Sequence, residues 1–235
     1  MKTIIENLRR ELISMADEKT RQSGLRFFKE EVQLYGIRTQ MVVKTGKSYY
    51  KTLQDKSKSD IFIACEELLK SGIMEESFIA CNWSHQVRNK YVPADISIFE
   101  GWLDRYVTNW ATCDTLCNHS VGWLVEMYPD TISNLKRWAG SDNRWMRRAS
   151  AVSLIVPAKK GKFLDDIFEI AAKLLTDNDD MVQKGYGWML KVASQVHLAE
   201  VYDFVIKNKT KMPRTALRYA IEKMPSELKA EAMKR

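Results

Sequence analysis

The 235-residue sequence has few of the features that mark secreted or membrane proteins. It contains only four cysteines and no CxxC pair, and no apolar run approaches the ~18 residues of a membrane-spanning helix. The N-terminus lacks the apolar stretch of a secretory signal, because charged residues such as Glu6, Arg9 and Arg10 interrupt it. We therefore predict a cytoplasmic protein with no membrane segment.

The cysteines offer little for metal binding. Cys113 and Cys117 form a CxxxC pair followed by His119, but a fourth ligand at a suitable spacing is missing. We predict reduced thiols packed in a helical core, and neither a metal nor another cofactor.

The overall composition is that of an ordinary globular protein. Hydrophobic residues make up 45% and charged residues 29% of the chain, which is enough to bury a substantial core. The formal net charge is +7, an excess that suits a polyanionic partner without proving one.

Helical patterns run through the chain, and strand-like alternation is absent. Apolar spacing predicts a first helix over residues 2–15 and a second over 18–35, which Gly36 ends. Thr39 is a potential N-cap of a third helix. Residues 44–59 are predicted as a solvated helix and loop, and further helices are predicted at 60–70, at 74–87 and after Pro93.

A repeat is visible in the second half of the sequence. Asp142-Asn143 opens one helix, and about 36 residues later Asp177-Asn178 precedes another with a similar layout. A helix over residues 163–175 lies between them, and Met212-Pro213 opens a further one. Paired helices at this period indicate an all-α, HEAT-like helical-repeat solenoid with a concave groove. We predict a single domain over residues 1–235.

The most informative local pattern is Trp110 followed by Asp114. Four residues apart on a helix, an indole and a carboxylate lie on the same face, where they can hold a cation. Arg148 and Trp188 follow at repeat spacing on second helices, so all four side chains can converge on one groove. Plainer interpretations remain: the tryptophans can be core anchors, Asp114 a surface carboxylate, and Arg148 part of an Asp–Arg ladder.

Three segments, in a fixed order along the chain, carry a resemblance to a known family. They are Trp110-x3-Asp114, Ser141-Asp142-Asn143-x-Trp145-x2-Arg148-Ala149, and Gln183-Lys184-x2-Gly187-Trp188-x-Leu190-Lys191. In these residues the chain resembles the bacterial alkylpurine DNA glycosylases built from HEAT-like repeats, the AlkD-like or DNA alkylation repair family. A weaker match covers residues 35–39 and includes Arg38.

The resemblance implies hydrolysis of the N-glycosidic bond of N3- or N7-alkylated purines, such as 3-methyladenine and 7-methylguanine, in duplex DNA. It implies that Trp110 and Trp188 flank the damaged nucleotide and that Asp114 stabilises the sugar cation and positions water. It implies further that Arg148 and Lys191 hold phosphates. We expect a monomer that acts in base excision repair without a cofactor.

Basic residues along these segments are candidates for the DNA-binding groove. Besides Arg148 and Lys191, the candidates are Arg38, Arg147, Lys159, Lys160 and Lys184. The alternative for each is a solvated helix face. The sequence departs from the family at Phe27, where a tyrosine is often found, and at Val156, which replaces a basic residue.

Two other functions are compatible with a helical-repeat fold. A protein-binding scaffold predicts a groove that is not basic, with Trp110 and Trp188 buried. A DNA-binding relative without catalysis is disfavoured, because a protein that had lost the activity would be expected to have replaced at least one of Trp110, Asp114 and Trp188.

Overall fold

The computed structural model describes residues 1–53 and 57–234, and helices dominate throughout. The chain divides into two compact units, Met1–Leu116 and Cys117–Arg235. Outside the helices, the described residues include one isolated parallel β-bridge, between Gln33 and Ile73. The predicted all-α class is therefore confirmed.

The first unit is arranged around a central helix, α5. Its helices are α1 (Lys2–Ser14), α2 (Glu18–Leu25), α3 (Thr39–Thr52), α4 (Lys58–Leu69), α5 (Met74–Gln86), α6 (Asp95–Tyr106) and α7 (Trp110–Leu116). Helix α5 packs against α3, α4 and α7. Aromatic rings of Phe62, Phe99 and Trp102 meet edge to face at 5.3–5.7 Å and fill the core beside α4 and α6.

The second unit is arranged around α13. After a π-helical turn at Cys117–Val121, its helices are α8 (Gly122–Met127), α9 (Ile132–Trp138), α10 (Arg144–Val152), α11 (Ile155–Lys159), α12 (Leu164–Lys173), α13 (Asp180–Ala193), α14 (Leu198–Asn208), α15 (Arg214–Ile221) and α16 (Ser226–Met233). Helix α13 packs against α10, α11 and α15. Gly187 allows the close approach of α15, because a Cβ there would lie 2.7 Å from the Cβ of Tyr219.

Helix caps confirm the repeat that the sequence indicated. Asn143 caps α10 by accepting a hydrogen bond from the backbone N–H of Trp145, and Asp179 caps α13 by accepting from Met181 and Val182. The second cap is Asp179 and not the Asp177-Asn178 pair. Asp177 instead accepts a hydrogen bond from Arg147.

The prediction of one helix over residues 18–35 was wrong. Helix α2 ends at Leu25, and residues 26–38 form a non-helical connection to α3. Gly36 has a φ of +86°, and three backbone N–H groups of this connection bond to Glu75 on α5 instead of continuing a helix. The apolar spacing of this segment reflects packing of a loop.

Smaller differences concern helix ends and short helices. Thr39 is the first residue of α3 and not its cap, because the preceding Arg38 holds the cap position without a side-chain bond. Helices α11, α14 and α16 were not predicted from the sequence. Of the predicted stretch 44–59, α3 covers the first part, and residues 54–56 lie outside the described residues.

Two further expectations concern cysteines and membrane spans. All four cysteines are buried, as predicted, and none of them forms a disulfide. Within residues 1–53 and 57–234, no helix combines the length and the apolar composition needed to cross a bilayer.

Candidate functional site

Helix α7 presents Trp110 and Asp114 on one face. The backbone N–H of Thr112 donates to the side chain of Asn109, 2.9 Å away, so Asn109 acts as the cap that starts the helix. Thr112, Cys113 and Leu116 turn inward and are buried. Trp110 and Asp114 lie on successive turns and are both half-buried, so each is partly accessible to a ligand.

Trp110 differs from most tryptophans of the chain in this partial exposure. Trp83, Trp102 and Trp138 are at most 1% exposed and act as core anchors. Trp110 instead stacks on Phe28, with ring centroids 5.4 Å apart and planes inclined by 23°. The stack covers part of the indole surface and places a third functional candidate, Phe28, beside the pair.

A buried carboxylate holds the connection that carries Phe28. Glu75 is 3% exposed and accepts hydrogen bonds from the backbone N–H groups of Tyr35, Gly36 and Ile37 at 2.9–3.1 Å. The Tyr35 hydroxyl donates to Glu76 at 2.7 Å. Burial raises the pKa of Tyr35 above its ordinary value, and the bond to the Glu76 carboxylate raises this pKa further.

In the second unit, α13 carries a basic and aromatic stripe. Lys184, Trp188 and Lys191 share one face of the helix by their spacing, and all three are half-buried. Lys184 pairs with Asp180 at 3.2 Å, and Lys191 pairs with Glu222 at 3.0 Å. Trp188 is therefore flanked by two lysines, each of which already has a carboxylate partner.

The arginines of α10 belong to a ladder of contacts with the segment that leads into α13. Arg144 pairs with Asp179 at 2.8 Å and Arg147 with Asp177 at 2.6 Å. Arg148 is only 5% exposed, donates to the backbone carbonyl of Met181, and packs against Gly185. This burial favours the structural alternative for Arg148 over direct contact with a phosphate.

The remaining basic candidates lie on other elements than α10 and α13. Lys159 and Lys160 are exposed at the end of α11, and Lys160 pairs with Glu126 at 2.8 Å. Burial raises the pKa of Glu126, but hydrogen bonds from Lys160 and Lys162 outweigh it, so the net pKa is lowered. Arg38 is exposed immediately before α3 in the first unit.

No metal centre is apparent in the described part of the chain. No group of three His, Cys, Asp or Glu side chains there could hold a metal ion. Asp114 provides a half-buried carboxylate, and Trp110 and Trp188 each provide partly accessible aromatic surface.

Sequence reasoning missed Phe28 and Glu75. Phe28 fell within the predicted helix over residues 18–35, of which the structure contains only Glu18–Leu25. Glu75 carried no signal of its own, because a glutamate in the first turn of a helix is normally a solvent-exposed partner of the helix dipole. The positive-φ Gly36, in the weak match over residues 35–39, was the available hint of a fixed turn.

Comparison with known structures first defines the fold class. The chain is similar to a solved structure described as a predicted DNA alkylation repair enzyme from Enterococcus faecalis, with a TM-score of 0.79 and 16% sequence identity. The match covers 90% of this chain and 98% of the other. The fold is therefore the all-α helical-repeat fold of that protein.

Comparison with protein families then gives the family. The sequence model described as DNA alkylation repair enzyme matches residues 8–224, which is nearly the whole chain. The chain belongs to this family of DNA alkylation repair enzymes, as the sequence segments indicated. No curated protein sequence matches significantly.

Proposed function

We propose that the protein is a monofunctional DNA glycosylase that releases cationic N3- and N7-alkylated purines, such as 3-methyladenine and 7-methylguanine, from duplex DNA. Membership of the family supports a role in repairing alkylated DNA. The observation that carries the finer proposal is the pair on α7, where a half-buried carboxylate lies one turn from a half-buried indole.

The chemistry requires little besides charge stabilisation. An N3- or N7-alkylated purine is already cationic, so it leaves with the electron pair of the C1′–N bond as a neutral base and needs no general acid. Water then forms a bond to C1′ and loses a proton, which gives an abasic site. The protein has to stabilise the oxocarbenium-like sugar and aim the water.

Asp114 has the charge for this task. A carboxylate ~4 Å from a unit positive charge contributes about 4 kcal/mol at an effective dielectric constant of 20, which corresponds to about 10³ in rate. The indole of Trp110 adds cation–π attraction of about 0.5–2 kcal/mol to the charged base or sugar. Neutral bases lack both the charge and the leaving ability, so they should be left intact.

The partial exposure of both candidate tryptophans disfavours the scaffold alternative. That alternative expects Trp110 and Trp188 to be core residues like Trp83, but both retain accessible surface. We propose that Trp188, with Lys184 and Lys191 beside it on α13, contacts the DNA. Arg38 and Lys159 are proposed phosphate contacts, because their positive charges attract the phosphates of the DNA backbone.

The test measures free base released from duplex DNA containing 7-methylguanine, under single-turnover conditions. We expect release by the native protein and a loss of about 10³ in rate for Asp114→Asn. The matched control is Asp104→Asn, an exposed aspartate of α6, which should retain the native rate. DNA binding without base release by the native protein would instead favour a non-catalytic DNA-binding relative.

A further inference from the structure

The stack of Phe28 on Trp110 defines which surface of the indole can meet a ligand. The two rings are nearly parallel, at 23°, with their centroids 5.4 Å apart, so Phe28 occupies one face of the indole. Trp110 is nonetheless only half-buried, which leaves other parts of the ring accessible. A ligand that uses the π-face must approach from the side opposite Phe28.

Phe28 is itself fixed from both ends of the α2–α3 connection, residues 26–38. On the α2 side, the backbone N–H groups of Phe27 and Phe28 bond to the carbonyls of Gly24 and Leu25 at 3.1 Å. On the α3 side, the Glu75 carboxylate holds the backbone of residues 35–37. The backbone that carries the Phe28 ring is therefore held by contacts that do not involve Trp110.

The neighbouring residue has the opposite environment. Phe27 is 74% exposed, although it lies next to Phe28 in the same connection. The two adjacent phenylalanines can therefore be compared, because Phe28 stacks on the tryptophan of α7 whereas Phe27 is largely exposed to solvent.

We propose that Phe28 is a positioning residue for the reaction assigned above to Trp110 and Asp114. It fixes the plane of the indole and reserves one face for the cationic nucleotide, and it acts through Trp110 without touching the substrate. This inference rests on the proposed function. A displaced indole would weaken stabilisation of the transition state more than binding of the DNA. Loss of the Phe28 ring should therefore lower kcat and leave KM little changed.

The first measurement is made without DNA. The protein is labelled with 5-fluorotryptophan, and the Trp110 signal is assigned in the ¹⁹F NMR spectrum from the Trp110→Phe variant. We expect Phe28→Leu to shift the Trp110 signal, because the ring current of Phe28 is removed while apolar volume is kept. Phe27→Leu should leave the Trp110 signal at its native position. Phe28→Tyr keeps an aromatic ring at this position, so its Trp110 signal should also lie close to the native one.

The second measurement is base release by the same Phe28 variants. We expect kcat to fall by about 10- to 100-fold in Phe28→Leu with KM within twofold of native, and Phe28→Tyr to recover most of the rate. Thermal unfolding shows whether Phe28→Leu folds. Phe28→Met replaces it if it does not.

The outcomes separate this inference from the proposed function. An unmoved Trp110 signal, or a moved signal with full base release, overturns the positioning role alone. If the native protein releases no base while the signal moves in Phe28→Leu, the proposed function fails, and with it the positioning role in catalysis. A rate loss that Phe28→Tyr does not rescue also overturns the role of the ring.

Discussion

The carboxylate of Glu75 should contribute strongly to the stability of the first unit. It is 3% exposed, and one of its oxygens accepts the backbone N–H groups of Gly36 and Ile37 while the other accepts that of Tyr35. Replacing Glu75 by Gln preserves the shape of the side chain but converts one acceptor into a donor. The substitution therefore tests hydrogen bonding and charge with little change in packing.

The magnitude follows from the geometry. The less costly orientation turns the new amide nitrogen towards the single N–H of Tyr35, which leaves a buried donor unpaired at a cost of about 1–3 kcal/mol. The two remaining bonds lose their charge-assisted character, at about 1 kcal/mol each. Burying a neutral amide avoids part of the desolvation cost of the carboxylate. We expect a net loss of about 2–4 kcal/mol in the free energy of unfolding.

Urea unfolding and amide hydrogen exchange check this value. The exchange of the Gly36 and Ile37 amides should accelerate in Glu75→Gln well before global unfolding. The matched control is Glu6→Gln, at an exposed position on α1, which should change the free energy by less than about 0.5 kcal/mol. A loss below about 1 kcal/mol in Glu75→Gln, with unchanged exchange, would refute the anchoring of the connection.

Three further predictions concern close packing, pH and DNA binding. Gly187→Ala should lower the stability of the second unit by about 1–3 kcal/mol in urea unfolding, because the new Cβ would clash with α15. The control is Gly140→Ala, whose Cβ would lie 3.7 Å from the Arg137 carbonyl oxygen and which should change the stability little. Equal effects of the two substitutions would contradict this. The pKa of Tyr35 is raised on folding, so its contribution is complete below about pH 10 and is lost as the pH rises further. Unfolding at pH 8 and pH 11 should therefore show a smaller difference between native protein and Tyr35→Phe at the higher pH, and a constant difference would contradict the shift. Glu222→Gln removes the carboxylate 3.0 Å from Lys191. It should steepen the plot of the logarithm of the DNA-binding constant against the logarithm of the salt concentration by about 0.9 in slope. An unchanged slope would show that Lys191 does not contact the DNA.

The helices that could be predicted from the sequence are those whose signals are local. Apolar spacing predicted α1, α4 and α5 to within about two residues of their observed ends, because the signal for these helices is local. The end of α2 could not be predicted in this way. Residues 35–37 of the connection that follows α2 donate their backbone N–H groups to Glu75, which lies about forty residues further along the chain.

The candidate site was predictable to a similar degree. The spacing of Trp110 and Asp114 placed both side chains on one face of a helix, and the structure has them on α7 with that relation. The contact between Phe28 and Trp110 joins residues far apart in the chain and had no local signal. Catalytic use of Asp114 and Trp188 stays a prediction from the family resemblance.

The basic candidates of the second unit divide according to what holds them. Arg147 bonds to Asp177 in the segment before α13, and Arg148 donates to the Met181 carbonyl in the first turn of α13, so both are part of the packing between repeats. Removing one partner of such a buried contact leaves polar groups unpaired and costs stability first.

The half-buried Lys191 is held differently. The partner of Lys191 is an exposed carboxylate, and an exposed ion pair contributes only about 0–1 kcal/mol, so a phosphate can replace it at little cost. A loss of DNA binding in an Arg148 variant would therefore first have to be separated from a loss of folding. The same loss in Lys191→Gln would report on the interface directly, and this lysine is the better probe of how the second unit meets DNA.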